Sequence, residues 1–185
     1  RALRTILDRA GRSNLPAVPN SFNSIADVRE INMMNDEIRV IPECINLLTG
    51  LRELHLRRCE LNRDDSFPDT FWQLTGLEKL NLLGNNLTSI PSQIRQLSSL
   101  TFLDLRDNNL VSLPDEIYQL TNLTELYLHD NKLGSISEEI GKLTNLKILV
   151  LNDNDSLKSL PKSIGKLVNL IRLCLHGLHS LTKLP

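Results

Sequence analysis

His176 and His179 lie three residues apart beside Cys174, and imidazole with thiolate is a ligand set that Zn²⁺ accepts. A structural zinc site needs a fourth ligand, and the neighbouring sequence supplies no further cysteine or histidine. The sequence therefore predicts no metal at this end of the chain.

Asp107, Asp130 and Asp153 recur every 23 residues, so a repeated fold would stack their carboxylates in one column. Such a column could bind Ca²⁺, which prefers oxygen ligands. Aspartate is also common in tight turns, where its side chain bonds the local backbone. We interpret the three aspartates as turn residues.

Signatures of catalysis are missing from the sequence. It contains no GxSxG, HExxH, P-loop or GxGxxG stretch. We therefore expect no catalytic residues, no cofactor and no enzymatic activity.

The composition indicates one domain with an aliphatic core. The chain has 185 residues, of which 41% are hydrophobic but only 4% aromatic. Its net charge of −1 gives no overall attraction to nucleic acid or to an anionic membrane. Three widely separated cysteines, Cys44, Cys59 and Cys174, predict reduced thiols in a cytoplasmic protein.

A longer period organises the leucines. Segments beginning at residues 28, 51, 77, 100, 123, 146 and 170 share the template LxxLxLxxNxL, with steps of 23, 26, 23, 23, 23 and 24 residues. Template positions 1, 4 and 6 are apolar in all seven segments. In an extended chain, positions 4 and 6 point to one face and positions 3, 5 and 7 to the other.

The full unit, LPxxIxxLxxLxxLxLxxNxL, resembles the leucine-rich repeat family over nearly the whole chain. It is similar to the 23-residue intracellular class of Ras-group and plant intracellular proteins, and to host-directed bacterial effectors. The resemblance implies an α/β solenoid of about seven repeats. Such a horseshoe has a concave parallel β-sheet and convex short helices or 3₁₀ turns.

Position 9 carries the residues that we expect to hold the coils together. An amide there can bond backbone groups inside the coil and in the next repeat, forming a ladder. The predicted ladder consists of Cys59, Asn85, Asn108, Asn131 and Asn154.

The sequence divides into an N-terminal capping helix within residues 1–14 and a solenoid over residues 15–185. No capping pattern follows the last repeat, so we expect a monomer, or weak association through the uncapped C-terminal end. Residues 61–67 contain three extra residues, which form either a tolerated loop insertion or a contact site.

The outward columns at positions 3, 5 and 7 are the candidate partner-binding surface. Apolar and aromatic side chains surrounded by charges are typical of interaction hot spots, although scattered surface apolar residues are also common. A nucleic-acid interface is disfavoured because Glu30 and Glu53 share the face. The predicted partner-binding residues are His55, Arg57, Lys79, Phe102, Asp104, Arg106, Glu125, Tyr127, His129, Ile148 and Val150.

These observations favour a non-catalytic module that binds a partner protein on its concave sheet, without nucleic-acid or membrane binding. An alternative is the recognition domain of a larger protein, such as a bacterial effector secreted into the host cytoplasm or an immune receptor. The activity of that protein, for example ubiquitin ligation, would lie outside this chain. A secreted recognition module is disfavoured because cysteine-rich caps are missing.

Overall fold

The computed structural model describes residues 25–62 and 65–185. Seven parallel strands form one sheet in sequence order, each paired with the next. This confirms the predicted repeat fold. The strands are β1 (Glu30–Met34), β2 (Glu53–Arg57), β3 (Lys79–Asn81), β4 (Phe102–Asp104), β5 (Glu125–Tyr127), β6 (Ile148–Val150) and β7 (Arg172–Cys174). We call each strand and the segment that follows it a coil, numbered by its strand.

Every helix of the described residues is a short 3₁₀ helix. They are η1 (Ile25–Asp27), η2 (Glu43–Leu47), η3 (Asp69–Gln73), η4 (Ser92–Gln96), η5 (Asp115–Gln119), η6 (Glu138–Lys142) and η7 (Lys162–Lys166). None of them has the length and apolarity that a helix needs to cross a bilayer. Because each strand returns through one of these helices, the helices stack on the side opposite the sheet face.

The residue that precedes a return helix is one that suits a helix start. Pro91 precedes η4 in an extended conformation, where its missing N–H removes no helical hydrogen bond. Ser137 takes this place before η6, and its hydroxyl accepts a bond from the Glu139 N–H. Glu138 reaches the following coil, where its carboxylate accepts the Lys162 and Ser163 N–H groups at 3.1 and 2.9 Å.

The core is aliphatic, as the composition predicts. In the segments that begin at residues 51, 77, 100, 123 and 146, the leucines at template positions 1, 4 and 6, such as Leu100, Leu103 and Leu105, are buried between strand and helix. Coil 2 adds an aromatic cluster, in which Phe67 and Trp72 pack against Phe71 with ring centroids 5.1 and 4.8 Å away. A single coil could not bury these side chains, so stacking of coils creates the core.

The long loop of coil 2 leads into the aromatic cluster. Phe67 lies at its end, and the neighbouring Ser66 donates a 2.7 Å bond to the Arg39 carbonyl of coil 1. The described part of the loop therefore packs on the preceding coil. The predicted capping helix lies outside the described residues.

Position 8 turns the chain out of the sheet with left-handed backbone in all seven coils. Its φ is 54° at Asp107, Asp130 and Asp153, and 70° at Gly84. Aspartate, asparagine and glycine tolerate this region better than other residues. The structure thus confirms the turn interpretation of the aspartates. Arg58 adopts the same conformation, with φ 54°, although arginine has no such preference.

The last coil leaves one core-type side chain partly in solvent, because Leu173 of β7, at template position 4, is 38% exposed. Ile171 and Val168 are 81% and 79% exposed, but they stand at the positions of Thr101 and Ser98, which lie outside the core. This coil has a neighbouring coil on one side only, so its outer face stays open. Association through this end remains a prediction.

Candidate functional site

Four asparagines at position 9 hold adjacent coils together. The Asn108 side-chain oxygen accepts the Asn85 and Leu87 N–H groups at 3.1 and 2.9 Å. Its amide nitrogen donates to the Leu82 and Leu105 carbonyls at 3.1 and 2.9 Å. Corresponding bonds recur at Asn85, Asn131 and Asn154.

The ladder differs from the predicted one in two respects. Its inter-coil bonds run to the preceding coil rather than to the next, because the preceding backbone presents its N–H groups toward the side-chain oxygen. Cys59 has no amide, and its thiol contacts the Arg57 carbonyl at 3.5 Å and the Asp36 backbone of the preceding coil. Burial raises the pKa of the Cys59 thiol to about 11. All three cysteines are free.

A second ladder, which the sequence reasoning missed, follows the opposite edge of the sheet. Asn122, Asn145 and Asn169 donate to the Ser98, Thr121 and Thr144 carbonyls at 2.9, 2.8 and 2.8 Å. Each asparagine immediately precedes its template segment, so its recurrence at one register was the available signal. These amides are exposed, which makes their bonds less stabilising than those of the buried ladder.

The concave face carries an apolar shelf on β4, β5 and β6, formed by Phe102, Tyr127 and Ile148, which we call the aromatic shelf. The Phe102 and Tyr127 ring centroids are 5.5 Å apart with planes tilted by 46°. All three side chains are half-buried. The shelf therefore offers apolar contact area on a face that no element of the described chain covers.

A hydrogen bond to Glu125 orients the Tyr127 ring of the shelf. The Tyr127 hydroxyl donates to Glu125 at 2.8 Å. Burial and this bond raise the pKa of Tyr127 to about 12, so the phenol stays protonated at neutral pH. On the other side lie Arg106, whose guanidinium is 5.9 Å from the Tyr127 ring centroid, and His129, whose ring centroid is 6.4 Å away.

Asp104 corrects one predicted contact residue. The side chain was expected in solvent, but it is 1% exposed and lies beneath its longer neighbours. Asn81 donates to its carboxylate at 3.0 Å, and Arg106 forms an ion pair with it at 3.0 Å. The Arg106 Nε–H is not aligned with the carboxylate, so this contact is one of charge attraction. Burial raises the pKa of Asp104 despite that charge.

Val150 is a second correction. It was expected in solvent but is buried, because it lies in the central row of the concave face between Tyr127 and Cys174. Strands about 5 Å apart allow large neighbours to cover a short side chain between them. Val150 therefore supports the aromatic shelf from below and offers a partner little surface.

The remaining predicted contact residues lie on β2 and β3, and each has a polar partner on the same face. Lys79 pairs with Glu53 at 2.9 Å, and His55 lies 3.6 Å from the same carboxylate. Arg57 donates to Asn32 of β1 at 3.0 Å. The structure thus brings the predicted residues onto one face, where they form this polar group and the aromatic shelf. For each of these residues, contact with a partner protein remains a prediction.

Potential metal ligands occur together once within residues 25–62 and 65–185. Glu30, Glu53 and His55 have ligand atoms within 4.8 Å of one another. The Lys79 ammonium already contacts the Glu53 carboxylate and supplies a positive charge there. His176 and His179 face different aspartates, each at 3.9 Å, and are largely exposed.

A sequence model described as a leucine-rich repeat region matches residues 27–134, more than half of the chain. The chain belongs to the leucine-rich repeat family. No curated protein sequence matches it. Among solved leucine-rich repeat structures, it is similar to the Leptospira interrogans LRR protein LIC12759, with 38% identity and a TM-score of 0.78 over 85% of this chain.

Two plant leucine-rich repeat receptors are also similar. One is the peptide hormone receptor RGFR1 in complex with RGF2, with 33% identity over 77% of this chain and a TM-score of 0.60. The other is the Arabidopsis thaliana GASSHO1/SCHENGEN3 ectodomain in complex with CASPARIAN STRIP INTEGRITY FACTOR 2, with 28% identity over 80% and a TM-score of 0.60. This chain spans 39% of the Leptospira protein and 23% and 21% of the two receptors.

Proposed function

We propose that this leucine-rich repeat chain is a non-catalytic recognition module that binds a partner protein on its concave sheet. The aromatic shelf carries the proposal, because it exposes apolar surface on the face opposite the 3₁₀ helices. Half-buried aromatic residues beside charged groups have the composition of binding hot spots. The two similar plant receptors, each solved with a bound ligand, support a protein-binding role.

We further propose that the chain acts as part of a longer protein in the cytoplasm, with a role in signalling. The small share of the similar solved chains that this chain spans supports the first point. Three free cysteines support a reducing compartment, either that of the producing cell or that of a host cell receiving an effector.

A capture experiment tests the concave site, in which each immobilised chain is incubated with a cell lysate and the retained proteins are compared. The parent is compared with a concave variant, Phe102→Ala/Arg106→Glu/Tyr127→Ala, and with a matched control, Arg95→Glu/Val111→Ala, whose residues are exposed outside the sheet. All three are required to have the same melting temperature. Proteins retained by the parent and the control but lost by the concave variant support the proposal. Equal retention by all three would contradict it.

A further inference from the structure

Some charged side chains around the aromatic shelf form ion pairs and others do not. Lys79 is paired with Glu53 and Arg106 with Asp104. Glu125 accepts the Tyr127 hydroxyl but has no basic group within 4.0 Å among the residues that the structure describes. Arg172, which lies opposite Ile148 on β7, also has no acidic group within 4.0 Å among these residues. The shelf therefore has an unpaired positive charge at its β7 end and an unpaired negative charge at Glu125.

Glu125 is also placed beside aromatic surface. It lies directly opposite Phe102 on the neighbouring strand and two residues before Tyr127 on its own. A cation is attracted to an aromatic face within about 6 Å of the ring centroid. Arg106 already takes this position at the Tyr127 ring, at 5.9 Å, so a second cation has to approach from the Glu125 side, where the carboxylate attracts it.

Aspartates at one edge of the sheet add further negative charge near Glu125 and the shelf. Asp107, Asp130 and Asp153 follow the three strands of the shelf at one edge of the sheet. Asp107 contacts Arg58 at 3.5 Å and Asp153 lies 3.9 Å from His176, whereas Asp130 has no such partner among the described residues. This edge attracts basic segments and repels acidic ones.

We propose that the concave site recognises a basic side chain, lysine or arginine, in a segment of the partner protein. Its alkyl stem lies on the Phe102 and Tyr127 rings, and its charged group contacts Glu125. Lysine and arginine suit this surface because their stems bury apolar area while the charge reaches a polar group. The inference rests on the proposed function, since its occupant is a protein segment.

A random 12-residue peptide library displayed on phage provides the probe. Peptides are selected on the parent chain, and those that also bind a Phe102→Ala/Tyr127→Ala variant are discarded. The remaining peptides are synthesised, and their affinity is measured for the parent, for Glu125→Gln and for Glu116→Gln. The last is a matched control in η5, away from the sheet.

We expect a lysine or arginine at one shared position of the selected peptides. Glu125→Gln should weaken their binding about tenfold, and Glu116→Gln should leave it within twofold. Replacing the shared lysine by norleucine should weaken binding to the parent but not further to Glu125→Gln. If Glu125→Gln does not fold, the norleucine peptide should bind the parent more weakly than the lysine peptide at low salt, and this difference should shrink as salt is raised.

Two other outcomes are distinguishable. Selected peptides without a shared basic residue, or with equal affinity for Glu125→Gln and the parent, would overturn this inference and leave the proposed function standing. Selection of no peptide that depends on Phe102 and Tyr127 would overturn both.

Discussion

Replacing Asn108 by leucine removes the centre of the buried ladder without changing side-chain size greatly. The substitution leaves the Asn85 and Leu87 N–H groups of coil 3 without their acceptor. A buried polar group without a partner costs about 1–3 kcal/mol. Two such groups, with partial relaxation of the coils, give an expected loss of about 2–5 kcal/mol in the free energy of unfolding.

Urea unfolding of parent and variant measures this loss, with Asn122→Ala as the control. Asn122 makes one exposed bond to the Ser98 carbonyl, so its loss should cost no more than about 1 kcal/mol. Hydrogen exchange locates the effect, because the Leu87 amide should lose protection in Asn108→Leu alone. A loss in Asn108→Leu no larger than that in Asn122→Ala would refute the reasoning.

Three further results are expected. Arg58→Asn should raise the free energy of unfolding by about 0.5–1 kcal/mol in urea unfolding, because asparagine tolerates the left-handed φ and the exposed ion pair lost is weak; a decrease would contradict this. With a thiol reagent at neutral pH, Cys44 and Cys174 should react before Cys59, whose pKa burial raises to about 11; labelling Cys59 first would contradict it. Backbone N–H bonds lower the pKa of Glu138 from its ordinary value, so its stabilisation is present above the unfolded pKa and is lost as pH falls through the folded pKa. Melting temperatures of Glu138→Gln, measured against pH, should lack this acid-dependent loss. Parallel pH profiles of parent and variant would contradict a stabilising role for the Glu138 bonds to coil 6.

The repeat period predicted the fold because each position of the template has one physical task. Side chains at positions 4 and 6 share one face wherever the chain is extended, so the strands and their buried leucines followed from the spacing, whereas the stacking into one sheet followed from the resemblance to leucine-rich repeats. Proline before η4 likewise indicated where the return helix begins. The direction of the asparagine bonds did not follow, since it depends on how one coil is offset from its neighbour.

The binding face was predicted less completely than the fold. Alternation assigns Asp104 and Val150 to the concave face, but it does not show that longer neighbours cover them. Their burial depends on the side-chain conformations of Arg106 and Tyr127, which residue spacing does not determine. The isolation of Glu125 emerged only once the ion pairs around it were known.

The measurement that tests the central claim most directly is methyl NMR of the chain with a selected peptide. Ile148 and Val150 report on the aromatic shelf, whereas Val111 and Val168 lie in exposed segments outside the sheet. We expect the resonances of Ile148 and Val150 to shift on peptide addition while those of Val111 and Val168 stay in place. Shifts confined to Val111 and Val168 would contradict binding on the concave face.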